Sequence, residues 1–101
     1  MDIVIMKSQN FNKKFDAVIN GSKRISFGAA GYSDYTIHKD EKRKELYIKR
    51  HFNEDWTIQN IAGPAWFSRW ILWEKKTLPD AVRTANSKYK DVKFKLKKLS
   101  M

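Results

Sequence analysis

Polar and apolar residues alternate in two separate parts of the chain, and each alternation marks a half-buried strand. "KFDAVIN" (residues 14–20) and "KRISFG" (residues 23–28) are short β-prone runs either side of "NGS", a strong hairpin signal. With Asn20, Gly21 and Ser22 as the loop, Ala17 faces Ile25 and Phe15 faces Phe27. That register gathers an apolar set on one face. "DIVIM" adds a third strand ahead of the hairpin. At the other end, "DVKFKLKKL" sets Val92, Phe94 and Leu96 against Lys93, Lys95 and Lys97. This is the pattern of an edge strand whose lysines discourage pairing with another chain.

Between these parts the pattern turns helical. Gly28 and Gly31 break the strand, and Ser33 or Asp34 caps a short turn over Tyr35 to His38. A longer helix is expected from about Asp40 to Phe52. Asp40 and Glu41 stand at its start and Lys49, Arg50 and His51 at its end, an order that complements the helix dipole. Gly63 and Pro64 introduce a helix from about Ala65 to Trp73, with Trp66, Trp70 and Trp73 on one face and Phe67 and Ile71 widening it. Thr77, Pro79 and Asp80 open a last helix with capping-box-like spacing. The expected fold is one α+β domain over residues 1–101. A small antiparallel sheet, built from the N-terminal hairpin and the C-terminal strand, is packed by about three helices. Residues 1–12 form an extended N-terminal segment and residues 90–101 a basic strand.

Composition supports one core and narrows the chemistry. The 101 residues are 42% hydrophobic and 32% charged, a globular balance. Four Trp, four Tyr and six Phe supply a core from few positions. There is no Cys, so disulfides and thiolate metal sites are excluded. The apolar run from Ile3 to Met6 is too short for a secretory signal, and nothing approaches the roughly 20 apolar residues of a membrane span. The formal charge of +10 changes the picture most. Such a surface attracts nucleic acid, anionic lipid or an acidic protein.

Every candidate for chemistry also has a plainer reading. "GAAG" at residues 28–31 lacks the Lys-Ser/Thr of a P-loop and the third glycine of a dinucleotide fingerprint. It superficially matches the GxxG loop that clamps nucleic-acid backbone in KH domains, but two alanines stand where such loops carry basic or polar residues. Gly28, Gly31, Ser33 and Asp34 therefore read as a structural turn. His38 and His51 have no partner at a metal-ligand spacing, and a set of Ser33, His38 and Asp40 is too close in sequence to form a triad. No catalytic residue, metal ligand or cofactor is expected. Projected as a helix, Lys39, Lys42, Arg43, Lys49 and Arg50 share one broad face with Leu46 and Tyr47. Asp40, Glu41 and Glu45 lie opposite. Segregated cations around an aromatic suit a phosphate backbone or an acidic surface; the plainer reading is a solvated helix. Lys93, Lys95 and Lys97 make a second basic stripe, equally explained by edge protection. Trp66, Phe67, Trp70 and Trp73 are core, or an interface if exposed.

The run "SFGAAGYSDYTIHKDEKRKELYIKRHFNEDW", followed by "AGPAWFSRWILWEKKTLPDAV", resembles a family of small basic proteins encoded by large double-stranded DNA viruses of eukaryotes. The resemblance covers about residues 13–85. It departs at "GPAWFSRW", where relatives place the aromatic pair closer to the glycine. It implies a viral setting: a virion, with the host cytoplasm or nucleus during infection. The leading expectation is a non-enzymatic minor capsid or virion-associated component that bridges other virion proteins through basic and aromatic surfaces. The alternative is a protein contacting DNA or RNA through the genome's phosphate backbone. Peripheral contact with a membrane is compatible with the charge; the oligomeric state is left open.

Overall fold

A computed structural model describes residues 1–54, 56–57, 61 and 63–97. Strands β1 (Asp2–Lys7), β2 (Lys13–Ile19) and β3 (Lys23–Ala29) come first. Helices α1 (Tyr35–His38), α2 (Glu41–Arg50), α3 (Pro64–Phe67) and α4 (Leu78–Lys88) follow, and β4 (Lys93–Leu96) closes the order. The fold is α+β. The hairpin has the register that its apolar pattern requires, with Phe15 opposite Phe27 and Ala17 opposite Ile25. Asn20 and Gly21 take positive φ (51° and 74°) in its loop, where Asn and Gly are tolerated. None of the described helices is long and apolar enough to cross a membrane.

The sheet differs from expectation in one respect. Its order is β3-β2-β1-β4, and β4 runs parallel to β1, so the sheet is mixed rather than antiparallel. Parallel neighbours need a long crossover, and the helices between β3 and β4 supply it. The extended start of the chain is thereby an inner strand, paired on both sides. The β4 lysines are exposed on an edge strand, while Val92 and Phe94 are buried. Asn86 on α4 closes the outer edge: its side chain donates to the Phe94 carbonyl (2.9 Å) and accepts from the Phe94 N–H (2.7 Å). Lys98 and the rest of the basic segment past residue 97 lie outside the described residues.

The core lies between one sheet face and the helices. Ile3, Ile5, Ala17, Phe27 and Phe94 meet Trp66, Phe67, Ile71, Leu72, Val82 and Ala85. The expected Trp helix is not regular. After Phe67 the chain widens into a π-helical turn, Ser68–Leu72. This shift takes Trp73 off the face that Trp66 and Trp70 still share, where both meet Tyr89. Trp66 stacks on Phe94 (5.9 Å, 9°), Trp70 turns to Tyr89, and Trp73 lies against Tyr47 of α2. Trp66 and Phe67 are fully buried; Trp70 and Trp73 are half-buried.

Gly28 does not break the strand: it lies within β3, one residue before its end, with φ +77°, and a Cβ there would lie 2.8 Å from Leu72 Cδ1. Both the backbone region and the contact oppose a side chain. Gly28→Ala should therefore cost about 2 kcal/mol in chemical denaturation. An unchanged midpoint would mean that Gly28 is not required for the turn.

Candidate functional site

Two caps aim the chain from β3 into α2. Asp34 caps α1 by accepting from the Thr36 N–H (2.8 Å) and hydroxyl, and Lys14 Nζ lies 2.6 Å from its other oxygen. Asp34, not Ser33, is thus the cap, and its buried charge is offset by Lys14. Asp40 caps α2 by accepting from the Lys42 and Arg43 N–H groups. Lys39 lies between the helices in left-handed backbone (φ 56°), so it is not on the α2 face. Its ammonium donates to the Thr36 and Lys76 carbonyls.

The Trp segment then anchors α2. Tyr47 stacks on Trp73 with centroids 4.2 Å apart and rings parallel within 2°. Lys44 Nζ donates to the Glu74 carbonyl (2.8 Å), and Arg69 pairs with the Glu74 carboxylate (2.7 Å). Burial pushes the Tyr47 hydroxyl up to about 12, so the stacked ring stays neutral across the physiological range. Tyr35 donates to Glu41 (2.6 Å), and that bond, with burial, raises its hydroxyl to about 12 as well.

These contacts leave an open groove of about 600 Å³ between the end of the β2–β3 hairpin, α2 and the Trp segment. Gly28, Ala29, Tyr32 and Ser33 form one wall. Arg43, Leu46, Tyr47 and Arg50 form the α2 wall, and Ser68, Leu72 and Trp73 close the floor side. The projected basic face therefore divides. Arg43 and Arg50 line the groove, whereas Lys42 and Lys49 are exposed and do not. Leu46 points out, 44% exposed, and Tyr47 is the residue that turns inward. Among the described residues no carboxylate pairs with Arg43 or Arg50. Among the described residues, Glu54 is the one lining carboxylate besides the ion-paired Asp34.

The other basic stripe is elsewhere. Lys93 and Lys95 line a separate concavity with Lys90 and Val4, at the β1–β4 side. Since β4 and β3 are opposite edges of the sheet, the β4 lysines, and Lys97 just past the strand, are not part of the α2 groove. Lys14 and Tyr32 are groove residues that sequence reasoning missed. The signal for Tyr32 was an aromatic directly after a turn glycine; Lys14 enters only through strand pairing.

Ser33, His38 and Asp40 do not converge as a triad. His38 Nδ1 accepts from the Asp40 backbone N–H (3.0 Å), and the Asp40 carboxylate is occupied as a cap. Among the described residues no group of three or more His, Cys, Asp or Glu is placed to hold a metal ion. Burial holds the His38 pKa below its usual value, and the Arg43 charge adds to this. A folded pKa below the unfolded one contributes stability above about pH 6.5, lost as pH falls. The melting temperature of the parent should therefore fall more between about pH 7 and pH 5 than that of His38→Gln. Equal falls would clear His38 of the effect.

Comparison with known proteins adds a partial likeness. The model of a family of unknown function, DUF5754, matches residues 3–51. That stretch contains β1–β3, the glycine turn, α1 and α2, and so two walls of the groove but not Trp73. No curated protein and no solved structure matches the chain at a significant level.

Proposed function

We propose that the protein is a non-enzymatic binding module that holds the phosphate backbone of a nucleic acid along the outer face of α2. The observation that carries this reading is the pair Arg43 and Arg50. They stand two turns apart on the wall of an open groove, flank the exposed Leu46, and have no carboxylate partner among the described residues. On the same helix Lys44 is near Glu74 and Glu41 near Lys76, while Lys42 and Lys49, also unpaired among the described residues, lie outside the groove. Guanidinium groups present planar donor forks that match phosphate oxygens, and the charge of +10 draws a polyanion to them.

The test is fluorescence anisotropy with labelled nucleic acid over a range of salt. Affinity should fall steeply and log-linearly as salt rises. Negligible affinity at low salt would end this reading.

The sequence resemblance suggests a setting, a virus particle in which the module ties the genome to neighbouring virion proteins. The bridging version of that idea relied on aromatic anchors, and two of the four, Trp66 and Phe67, are fully buried. It now rests on the basic surfaces. Proteomics of purified particles should find the protein at a fixed ratio to the major capsid protein. Absence from particles would remove the virion setting and leave the binding reading intact.

A further inference from the structure

The α2 groove does not end at Asp34. A second cleft, of about 490 Å³, opens on the other side of the Lys14–Asp34 pair, and both residues line both concavities. Sharing that pair, the two adjoin, and their linings together make up a track beside the glycine turn. Both parts of it carry cations and an exposed aromatic ring. Arg43, Arg50 and Tyr32, 74% exposed, line the first part, and Lys7, Lys13 and Phe11, 97% exposed at the β1–β2 loop, line the second. Among the described residues, Lys7 and Lys13 have no carboxylate partner, and the Tyr32 and Phe11 rings stack on no other ring.

We propose that this track takes single-stranded nucleic acid, with unpaired bases stacking on Tyr32 and Phe11. The proposal rests on the nucleic-acid reading above and specifies its substrate. Duplex DNA needs only cations along its backbone; its bases are already stacked and offer no ring face to a protein side chain. An aromatic held almost wholly in water, beside uncompensated cations, is what a splayed base requires. Every base has such a face, so the contact carries little sequence preference. The charge balance agrees: among the described residues five cations line the track (Lys7, Lys13, Lys14, Arg43 and Arg50) against Asp34 and Glu54.

The experiment compares a labelled oligothymidylate of about 12 nucleotides with a duplex of the same length at low salt. The expected result is tighter binding of the single strand. Tyr32→Ala and Phe11→Ala should each weaken that binding by about tenfold and leave duplex affinity within about twofold. Both side chains are exposed, so the variants keep the fold, as circular dichroism will verify. Equal affinity for strand and duplex, insensitive to both substitutions, would overturn the single-strand proposal while sparing backbone binding. Absence of binding to either probe overturns both. Poly-glutamate that competes as well as the oligonucleotide, and loses affinity in the same variants, would assign the track to an acidic protein segment instead.

Discussion

Reversing both arginines of the α2 wall, Arg43→Glu with Arg50→Glu, should weaken nucleic-acid binding by about 60-fold or more at about 0.1 M salt. The size of the effect follows from counterion release. Each phosphate left without its arginine keeps nearly one counterion that binding would have released, worth roughly 1.2 kcal/mol at that salt, and repulsion from the new carboxylates adds to it. The slope of log affinity against log salt should become shallower by about 1.8. Stability should barely change, because both side chains are exposed and hold no ion pair among the described residues. Lys42→Glu with Lys49→Glu is the control: the same charge change, on the same helix, outside the groove. Equal losses from both pairs would show that net charge, rather than the groove, drives binding.

The largest effect on stability should come from Trp66→Ala, at about 3–5 kcal/mol. Trp66 is fully buried. It stacks on Phe94 of β4, meets Phe67 edge-on at 5.2 Å and touches Tyr89 at 5.5 Å, so one ring joins the sheet edge, α3 and the end of α4. Removing it leaves a cavity whose walls belong to separate elements and cannot all close in. For a domain whose whole stability is about 5–15 kcal/mol, the loss is severe. The urea midpoint should fall by about 2 M. Trp66→Phe should lose far less: it keeps an aromatic in the site and removes an indole N–H that is buried without an acceptor among the described residues. A small shift for Trp66→Ala would mean that this core is built on other contacts.

These two experiments separate the parts of the molecule, because the core and the groove use different faces of the Trp segment. Trp66 faces the sheet, and Trp73 faces α2. The π-helical turn between them makes that division. Turns of this kind recur at functional sites in other proteins.

Asp16 adds a pH-sensitive element outside the groove. Burial pushes its carboxyl up, but hydrogen bonds from Ser26, Arg24 and Ser8 together hold it below the usual carboxylate range. Its contribution is therefore present above the unfolded value of about 4 and is lost only in stronger acid, well below the His38 step.

Much of this was legible in the residues alone. Local rules settle what local energetics dominate. The Asn20-Gly21 loop and the apolar alternation dictate the hairpin register, since a slip of one residue would turn Phe15 and Phe27 to water. The caps Asp34, Asp40 and Thr77 declare where α1, α2 and α4 begin. The segregation of charge on α2 follows from its period. Long-range packing decided the rest. Whether β4 enters parallel or antiparallel depends on where the helices deliver the chain, which no alternation pattern encodes. The π-helical turn depends on how Trp66 and Trp73 reach opposite neighbours at once. The candidate site is the clearest case. Arg43 and Arg50 could be picked from the helix pattern, but Lys14, Tyr32 and Phe11 reach the same track only because strand pairing and the Lys14–Asp34 bond fold the hairpin against α1. Charge and period determined that this chain presents a basic helix; tertiary contacts among residues far apart in sequence decided which cations stay unpaired and which rings stand beside them.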